Sequence, residues 1–528
     1  MPEYLHPGVY IEEIERGPRP IEGVATSTAA FLGETERGPT RPRMVTSYTE
    51  YRRWFGGVFG SDKYMPYAVN GFFDNGGKRV FVCRIVTSPA ATATGTFGDL
   101  QVNAVGPGGW GNRVFVQVKE SSTRVPDPNN QGSSIPVGFR LQIAYWRNLP
   151  SGFTAFDPFD PKNNILLPRP ALVEDFDDLS FDETSPDYFD KRVNGNTRGS
   201  GNSALVEIEL TTPAGQTPNV PPTQLTQLGN GSDTAALPSQ ADYKGDNLVA
   251  DLRTGLSALL LDDFREVSLV YEPGVTDQAK LLDLITHCEN QKFRFAVIDC
   301  APSQGDVSNL DPRTSPLRET QYAAFYYPWI RIADPQTSAP KLVPPGGHML
   351  GIYARTDIER GVFKAPANEV VRGALDLEYN VDESLQDQLN PRGVNAIRRF
   401  PGRGILLWGA RTLSANSLWK YVSVRRLFIF LEASIYEGTQ WVVFEPNDER
   451  LWARVKDTIR LFLRGQWRAG AMMGTTEEQA FFVTCDRTTM TQDDILNGRL
   501  VCEIGIAPVR PAEFVIFRIF QNTAETQT

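Results

Sequence analysis

A short strand pattern lies close to the N-terminus. Across residues 7–14, Val9 and Ile11 face one side while Tyr10 and Ile14 face the other, and this period of two is typical of a strand. A Gly-Pro-Arg-Pro sequence follows and predicts a stiff, extended linker. On this pattern alone the strand is equally well an edge of its own domain or a strand added to another chain.

The C-terminus has the same layout. Alternation over 500–506 predicts a strand, and an Ala-Pro-Val-Arg-Pro linker then leads to the segment 514–520, which is apolar on both faces except at one arginine. A strand that is apolar on both faces must be covered on both sides, and it promotes aggregation when exposed. The shared layout favours strand exchange between chains. The residues predicted to form the two arms are Val9, Tyr10, Ile11, Ile14, Phe514, Ile516, Phe517, Ile519 and Phe520.

Between the ends, buried-strand patterns alternate with helical periodicity, which predicts an α/β domain. A stretch rich in Gly, Pro, Asn and Ser with short alternating strands interrupts it and predicts a mostly β insertion. The last third predicts an α+β domain. The predicted segments are an N-terminal arm at 1–22, the two parts of the α/β domain at 23–100 and 246–356, the insertion at 101–245, the C-terminal domain at 357–507 and a C-terminal arm at 508–528.

The composition narrows the function classes. The chain has 528 residues, a formal net charge of -10 and a sequence pI of about 5.2, which argues against nucleic acid as a direct partner because phosphate binding needs clustered basic residues. Five scattered cysteines indicate reduced thiols. The sequence has no signal-peptide pattern and no apolar run long enough to span a membrane. We therefore expect synthesis in the cytoplasm and no membrane insertion.

Few residues are candidates for chemistry. The chain has three histidines, and its Cys and His spacing matches no metal-ligand pattern, so we expect no metal and no cofactor. The glycine-rich stretch 106–112 lacks the Gly-Lys-Ser/Thr of a phosphate loop and predicts a turn. Asp299 and Cys300 end a strand where α/β enzymes often place catalytic groups, but nothing nearby completes a triad. The acidic run from Ala171 to Asp190 predicts a solvated loop, with calcium binding as a weaker alternative. These observations favour a protein that is not an enzyme.

Several long segments of the chain closely resemble one family, the sheath subunit of contractile phage tails and related phage-tail-like injection systems. They are PGVY at 7–10, GVATSTAAF at 23–31, FFDNGG at 72–77, GIYARTD at 351–357, GVFKAPAN at 361–368, WGARTL at 408–413, QWVVFEPN at 440–447 and PAEF at 511–514. The resemblance covers about 7–87 and 267 to the end. It does not cover the insertion, which is consistent with a variable, outward-facing domain.

The resemblance implies a mechanical function. Subunits of this family form six-membered rings stacked helically around an inner tube, and the sheath shortens to drive the tube through a target cell envelope. The implied partners are other copies of the chain, the inner tube protein, and baseplate and terminal cap proteins. The implied location is a phage tail or a phage-tail-like particle, cytoplasmic or released by lysis.

The resemblance also implies roles for particular residues. The two arms would add strands to a neighbour's C-terminal domain, with Leu500, Cys502 and Ile504 on the acceptor strand. The C-terminal domain would face the inner tube through a basic helix. Two helices are candidates, and their contact residues would be Arg425, Arg426, Arg454 and Lys456. The alternative function is a virion- or particle-associated protein that binds or hydrolyses glycans through the β insertion.

Overall fold

The computed structural model describes residues 20–127, 132–195, 201–213, 216, 218–246 and 252–518. Within them the chain has a mixed α/β multidomain fold with two compact units. The central unit is Ala25–Arg425, and the terminal unit combines the described residues 20–24 with 426–518. The arm residues Val9, Tyr10, Ile11, Ile14, Ile519 and Phe520 lie outside the described residues.

A nine-stranded sheet forms the core of the described part of the central unit. Its strands, in spatial order, are Glu369–Val370, Gly404–Leu407, Val394–Phe400, Ala323–Tyr327, Phe295–Asp299, Leu269–Tyr271, Ala29–Gly33, Val80–Arg84 and Arg43–Val45. The inner strands pair in parallel, and the strands at both margins are antiparallel. Most inner strands are buried along their whole length, as expected when both faces of a parallel sheet are covered.

Helices accompany this sheet, and two of them begin at a polar side chain that caps the first turn. The helices of the central unit are Tyr48–Phe55, Met65–Asp74, Gln240–Lys244, Gly255–Ala258, Gln278–Gln291, Gly346–Arg360 and Glu383–Leu389, with single turns at Asp262–Phe264 and Asn390–Arg392. Ser47 accepts the amide of Glu50, and Asp277 accepts the amide of Lys280. Such N-caps satisfy amides that have no partner within the helix, and they explain why polar residues mark these starts in the sequence.

The boundary predicted at 356/357 is wrong. Strand Val394–Phe400 pairs in parallel with Ala323–Tyr327, so residues beyond Asp357 continue the nine-stranded sheet. Strand Ala374–Leu377 also pairs with Ile330–Ala333, which has Pro340–Val343 on its other side. Long-range pairing of this kind leaves no local signal in the sequence, and the contacts place the boundary after Arg425 instead.

The insertion is mostly β, but it is bounded differently from the predicted 101–245. Ala91 and Ser232 exchange two backbone hydrogen bonds of 3.1 Å, which closes its base. One sheet has the order Leu172–Leu179, Phe139–Tyr145, Val114–Glu120 and Thr226–Gln227, and the other has Val206–Leu210, Leu100–Ala104 and Thr94–Phe97. The hairpin Arg124–Pro126 with Ser134–Pro136 and the turns Gly109–Arg113, Pro161–Asn163 and Asp190–Asn194 complete its described elements. Its buried side chains form a separate hydrophobic cluster.

The acidic run was predicted as a loop, but its first half is a strand. Leu172–Leu179 pairs with Phe139–Tyr145, and Arg140 on that neighbour lies 2.7 Å from Asp175 and 3.2 Å from Asp177. Cross-strand pairs between opposite charges stabilise an antiparallel sheet. The arginine that pairs with these two aspartates lies more than thirty residues away in the sequence, so the local pattern did not reveal it.

The terminal unit is α+β. Helix Val422–Gly438 enters it from the central unit, followed by the turn Gln440–Val442, the helices Glu449–Arg468, Glu477–Ala480 and Gln492–Leu496, and the strands Phe481–Thr484 and Glu503–Ile506. The acceptor strand predicted at 500–506 begins only at Glu503, so Leu500 and Cys502 precede it. The carbonyl of Val501 accepts a hydrogen bond from the Thr489 hydroxyl, 2.8 Å, so this carbonyl is bound within the segment that connects the two strands.

The described residues show neither a membrane helix nor a metal centre. No helix among them combines the length and the apolar character needed to cross a bilayer. No group of three or more His, Cys, Asp or Glu side chains in this part of the chain is arranged to hold a metal ion.

Candidate assembly surfaces

The strands Phe481–Thr484 and Glu503–Ile506 form an antiparallel pair in the terminal unit, which we call the acceptor sheet. Ala507 donates its amide to the carbonyl of Ala480, 2.9 Å, and accepts the amide of Met473, 2.8 Å. Val509 donates to Ala471, 3.1 Å. One edge of the strand is therefore occupied from Glu503 to Val509.

The opposite edge of the acceptor sheet is open within the described residues. In an antiparallel ladder the bonded pairs alternate, and the bond at Ala507 places Ile504 and Ile506 with their backbone groups directed away from the partner strand. Pro508 has no N–H to donate and limits any further pairing on this edge. The geometry provides a short edge of about two residue pairs that another strand can extend.

The described part of the C-terminal arm, residues 508–518, presents an apolar surface. Phe514, Val515, Ile516 and Phe517 are 69%, 67%, 78% and 86% exposed, and residues 509–518 contain no helix or strand. Four consecutive exposed apolar side chains are unusual on a folded monomer and mark an interaction site. The described arm residues Phe514, Ile516 and Phe517 therefore have the exposure that strand exchange requires.

The arginines of helix Val422–Gly438 are buried. Arg425 and Arg426 are each 3% exposed, and the Arg425 guanidinium lies 4.8 Å from the Tyr322 ring centroid and 4.7 Å from that of Trp419. Aromatic faces attract such a cation. In this conformation neither guanidinium is on the surface, which counts against a tube contact through these two residues.

The helix Glu449–Arg468, which we call the basic helix, is amphipathic as its spacing predicts. Leu451, Trp452, Val455, Ile459 and Phe462 are buried, and Asp448 caps its N-terminus. The basic face is partly neutralised, since Arg460 and Arg464 both bind Glu477.

Of the two tube-contact candidates on the basic helix, Arg454 is the more exposed and Lys456 is half-buried. The Arg454 guanidinium lies 4.5 Å from the Trp441 ring centroid and 3.7 Å from Glu445.

Sequence reasoning missed Phe444. Its side chain is fully exposed and Val443 beside it is 61% exposed, while the backbone of Phe444 has φ 68°. A bulky residue in the left-handed region is an outlier that surrounding structure must maintain, and such outliers concentrate at functional positions. The signal available in the sequence was the apolar run WVVF immediately before Glu-Pro.

The central unit contains a polar cavity of about 550 Å³ near the ends of strands Ala29–Gly33 and Val80–Arg84. Several of its charged side chains pair with each other or with the backbone. Arg147 binds Glu36 at 2.9 Å, and Arg84 donates to the carbonyls of Gly38 and Pro107 at 2.9 and 2.8 Å. The described lining thus contributes to packing between the insertion and the sheet.

Comparison with known proteins places the chain in a family. Residues 251–413 match the model of the phage tail sheath protein central domain, and residues 414–522 match that of the phage tail sheath C-terminal domain. Together these matches span just over half of the chain. The division between them lies close to the boundary between the two units.

Curated relatives are tail sheath proteins. The chain is 26% identical over 282 residues to the putative prophage major tail sheath protein of Pseudomonas aeruginosa (strain UCBPP-PA14). This alignment covers 51% of this chain and 69% of that protein. It is 26% identical over 232 residues to the tail sheath protein of Vibrio phage KVP40, covering 43% of this chain but only 33% of the phage protein.

Solved structures extend the similarity to nearly the whole chain. The sheath complex of the extracellular contractile injection system PVC, in its contracted state, has a TM-score of 0.58 at 22% identity and covers 99% of both chains. The helical sheath of the anti-feeding prophage, also contracted, has a TM-score of 0.57 at 22% identity over 98% of this chain and 99% of that one. The solved structures show that the fold extends over nearly the whole chain, and the two family matches show that the chain belongs to the phage tail sheath family.

Proposed function

We propose that this chain polymerises helically around an inner tube and shortens to drive the tube through a target cell envelope. The observation that carries the proposal is the combination of an open acceptor edge at Ile504 and Ile506 with the exposed apolar run Phe514–Phe517 in one terminal unit. Neither feature is satisfied within the described subunit, and each complements the other when they come from neighbouring copies.

In this arrangement the arms hold neighbouring subunits together during shortening. Residues Val9 to Ile14 and Phe514 to Phe520 add strands to a neighbour's acceptor sheet, and the Pro-containing linkers let the domain bodies rotate without breaking the pairing. The energy of shortening is the free-energy difference between two packings of the same subunit, and no nucleotide is hydrolysed. The role is mechanical, and the protein is not an enzyme.

The proposed partners are other copies of the chain in stacked six-membered rings, the inner tube protein, and baseplate and cap proteins at the sheath ends. Similar solved structures include the sheath complex of PVC and the baseplate of the anti-feeding prophage. For the inner tube contact, Arg454 and Lys456 on the basic helix remain the candidates, because Arg425 and Arg426 are buried. The glycan-binding or glycan-hydrolysing alternative receives no support from the family matches.

Removal of the residues after Pro511 tests the arm assignment. We expect the truncated protein to remain folded, with an unchanged circular dichroism spectrum, but to form no long striated tubes in negative-stain micrographs. The physical reason is that each subunit loses the strand that links it to its neighbour. The single variant Phe517→Asp should have the same effect, since it places a charge within the proposed dry pairing surface.

The matched control is Leu496→Asp. Leu496 is 77% exposed in the same unit but lies outside the arm, so its replacement should leave tube length unchanged. Tubes of ordinary length from the truncated protein would show that the arm assignment is wrong. Loss of tubes in the Leu496 variant as well would show that general surface polarity, and not the arm, controls assembly.

A further inference from the structure

Two cysteines face each other across the end of the acceptor sheet. The pairing register runs from Phe481 with Ile506 to Thr484 with Glu503, and one residue further it places Cys485 opposite Cys502. The bond at Ala507 makes Thr484 and Glu503 a hydrogen-bonded pair, so the cysteines fall at a non-bonded position. Opposed Cα atoms there are about 4.5 Å apart, within the range of about 4.4–6.8 Å that a disulfide spans.

The side chains of these cysteines are already in contact. The interaction with the Cys502 thiol lowers the pKa of Cys485, with a smaller contribution from the Lys456 ammonium, against the opposing effects of burial and of Asp486. The same contact raises the pKa of Cys502. Cys485 is 3% exposed, whereas Cys502 is partly exposed. The pair therefore combines a thiol that favours ionisation with one that a small reagent can reach.

The other cysteines have a different environment. Cys83, Cys288 and Cys300 are fully buried in the hydrophobic core of the central unit, and burial raises the pKa of each thiol, that of Cys288 to about 12. Buried neutral thiols of this kind are unreactive. They provide an internal comparison within the same chain.

We propose that Cys485 and Cys502 are a modification site that forms a reversible disulfide when the protein meets a low-molecular-weight disulfide such as oxidised glutathione. Cys485 first loses its proton to water. Cys502 then transfers its proton to the Cys485 thiolate and attacks one sulfur of the small disulfide, whose other half leaves as a thiolate. Cys485 then releases a proton to water, and its thiolate attacks the sulfur of Cys502, displacing the second small thiolate. The protein loses two electrons and two protons, and the small disulfide becomes two thiols.

The disulfide would fasten the acceptor sheet at one end. It encloses the segment 486–501, which contains helix Gln492–Leu496, in a covalent loop. It also links the start of strand Glu503–Ile506 to the end of strand Phe481–Thr484. In the reduced protein the Thr489 hydroxyl holds Val501 at this point. Formation of the bond depends only on the fold of the terminal unit, so the inference stands or falls separately from the proposed role of the sheet in assembly.

The test uses the full chain, purified under reducing conditions and then transferred to a mixture of oxidised and reduced glutathione. Remaining thiols are alkylated, and the protein is digested with trypsin without reduction and analysed by mass spectrometry. Cleavage at the arginines in the sequence places Cys485 in peptide 469–487 and Cys502 in peptide 500–518. We expect these peptides as one linked product, lighter than their sum by two hydrogen atoms and separated by dithiothreitol.

Other outcomes are equally clear. Glutathione retained on Cys502 without linkage to Cys485, or alkylation of both thiols throughout, would overturn the proposal. Cys83, Cys288 and Cys300 should be alkylated only after denaturation. In Cys485→Ser the glutathione should remain on Cys502, because the second attacking thiol is missing. If that variant fails to fold, the linked peptide of the native chain still decides the question.

Discussion

Buried ionisable residues in the central unit have structural roles. Asp299, at the end of a sheet strand, accepts the Tyr271 hydroxyl at 2.5 Å and the amide of Gly346 at 2.8 Å. Burial raises the pKa of Asp299 to about 7. Its carboxyl group thus fixes the first turn of helix Gly346–Arg360, where amides have no partner within the helix. The position that α/β enzymes often use for catalysis is occupied here by a packing contact.

His348 gives a testable pH dependence. It is 2% exposed, and burial lowers its pKa from 6.5 to about 4. Below about pH 6.5 the unfolded chain therefore binds a proton that the folded chain does not, and the free energy of unfolding decreases as pH falls towards 4. Between pH 7 and 5 we expect His348 to account for a loss of roughly 2 kcal/mol.

The variant His348→Gln isolates this contribution. The difference in unfolding free energy between wild type and variant, measured by urea titration at several pH values, should shrink by that amount from pH 7 to 5. Groups whose titration changes stability in the opposite direction, such as Asp299, are present in both proteins. Their effects therefore cancel when the unfolding free energy of the variant is subtracted from that of the wild type. The control Met349→Leu, at a buried neighbour without a titratable group, should give a difference that is independent of pH. A pH-independent difference for His348→Gln would contradict the burial argument.

Two helices of the central unit pack closely through glycines. A Cβ added at Gly351 would lie 2.5 Å from the Phe72 carbonyl oxygen, and one at Gly347 would lie 2.4 Å from that of Ala68. Helices Met65–Asp74 and Gly346–Arg360 can therefore approach only where these side chains are absent. The contact is backbone to backbone, so it cannot be relieved by rotating a side chain.

Substitution of glycine should have opposite effects on the two units. Gly351→Ala should lower the free energy of unfolding by roughly 2–3 kcal/mol, because the added methyl group overpacks a rigid contact. Gly465→Ala should raise it by about 0.5–1 kcal/mol, since this position in the basic helix has nothing within 4 Å of the added Cβ and alanine favours the helix. Chemical denaturation monitored by circular dichroism measures both. A neutral Gly351 variant would mean that the helices separate easily.

The chain enters and leaves the insertion through one closed base. Ala91 and Ser232 are hydrogen-bonded to each other, and the insertion has its own hydrophobic cluster. Its contacts with the sheet domain include the bond of 3.1 Å between the Tyr145 hydroxyl and Glu36. Removal of the insertion would leave Glu36 accessible to water, where its carboxylate can be hydrated.

Replacement of residues 92–231 by a short Gly-Ser linker should therefore leave a folded protein that still forms tubes. Loop closure between adjacent ends costs little, and the arms and the acceptor sheet lie elsewhere. Electron microscopy and circular dichroism measure the outcome. The control is removal of the exposed hairpin Arg124–Pro126 with Ser134–Pro136 alone, which should be neutral. Insoluble protein, or soluble protein without tubes, would show that the insertion is required by the central unit or by assembly.

Local patterns in the sequence were sufficient to identify several features of the structure. The capped starts at Ser47, Asp277 and Asp448 follow from side chains that bind amides within one turn. The buried face of the basic helix follows from its spacing. The Pro-containing segments at 17–20 and 507–511 and the apolar run at the C-terminus could also be identified directly. In each case the physical cause acts over a few neighbouring residues.

Tertiary structure alone decided the features that depend on distant partners. Because Val394–Phe400 pairs in parallel with Ala323–Tyr327, the central unit extends to Arg425 and not to the predicted residue 356. The aromatic rings of Tyr322 and Trp419 show why Arg425 is inside the protein and not on its surface. The open edge of the acceptor sheet and the contact between Cys485 and Cys502 likewise depend on strand register. Sequence spacing sets what a residue can do locally, whereas burial, edges and opposed side chains exist only after distant segments have paired.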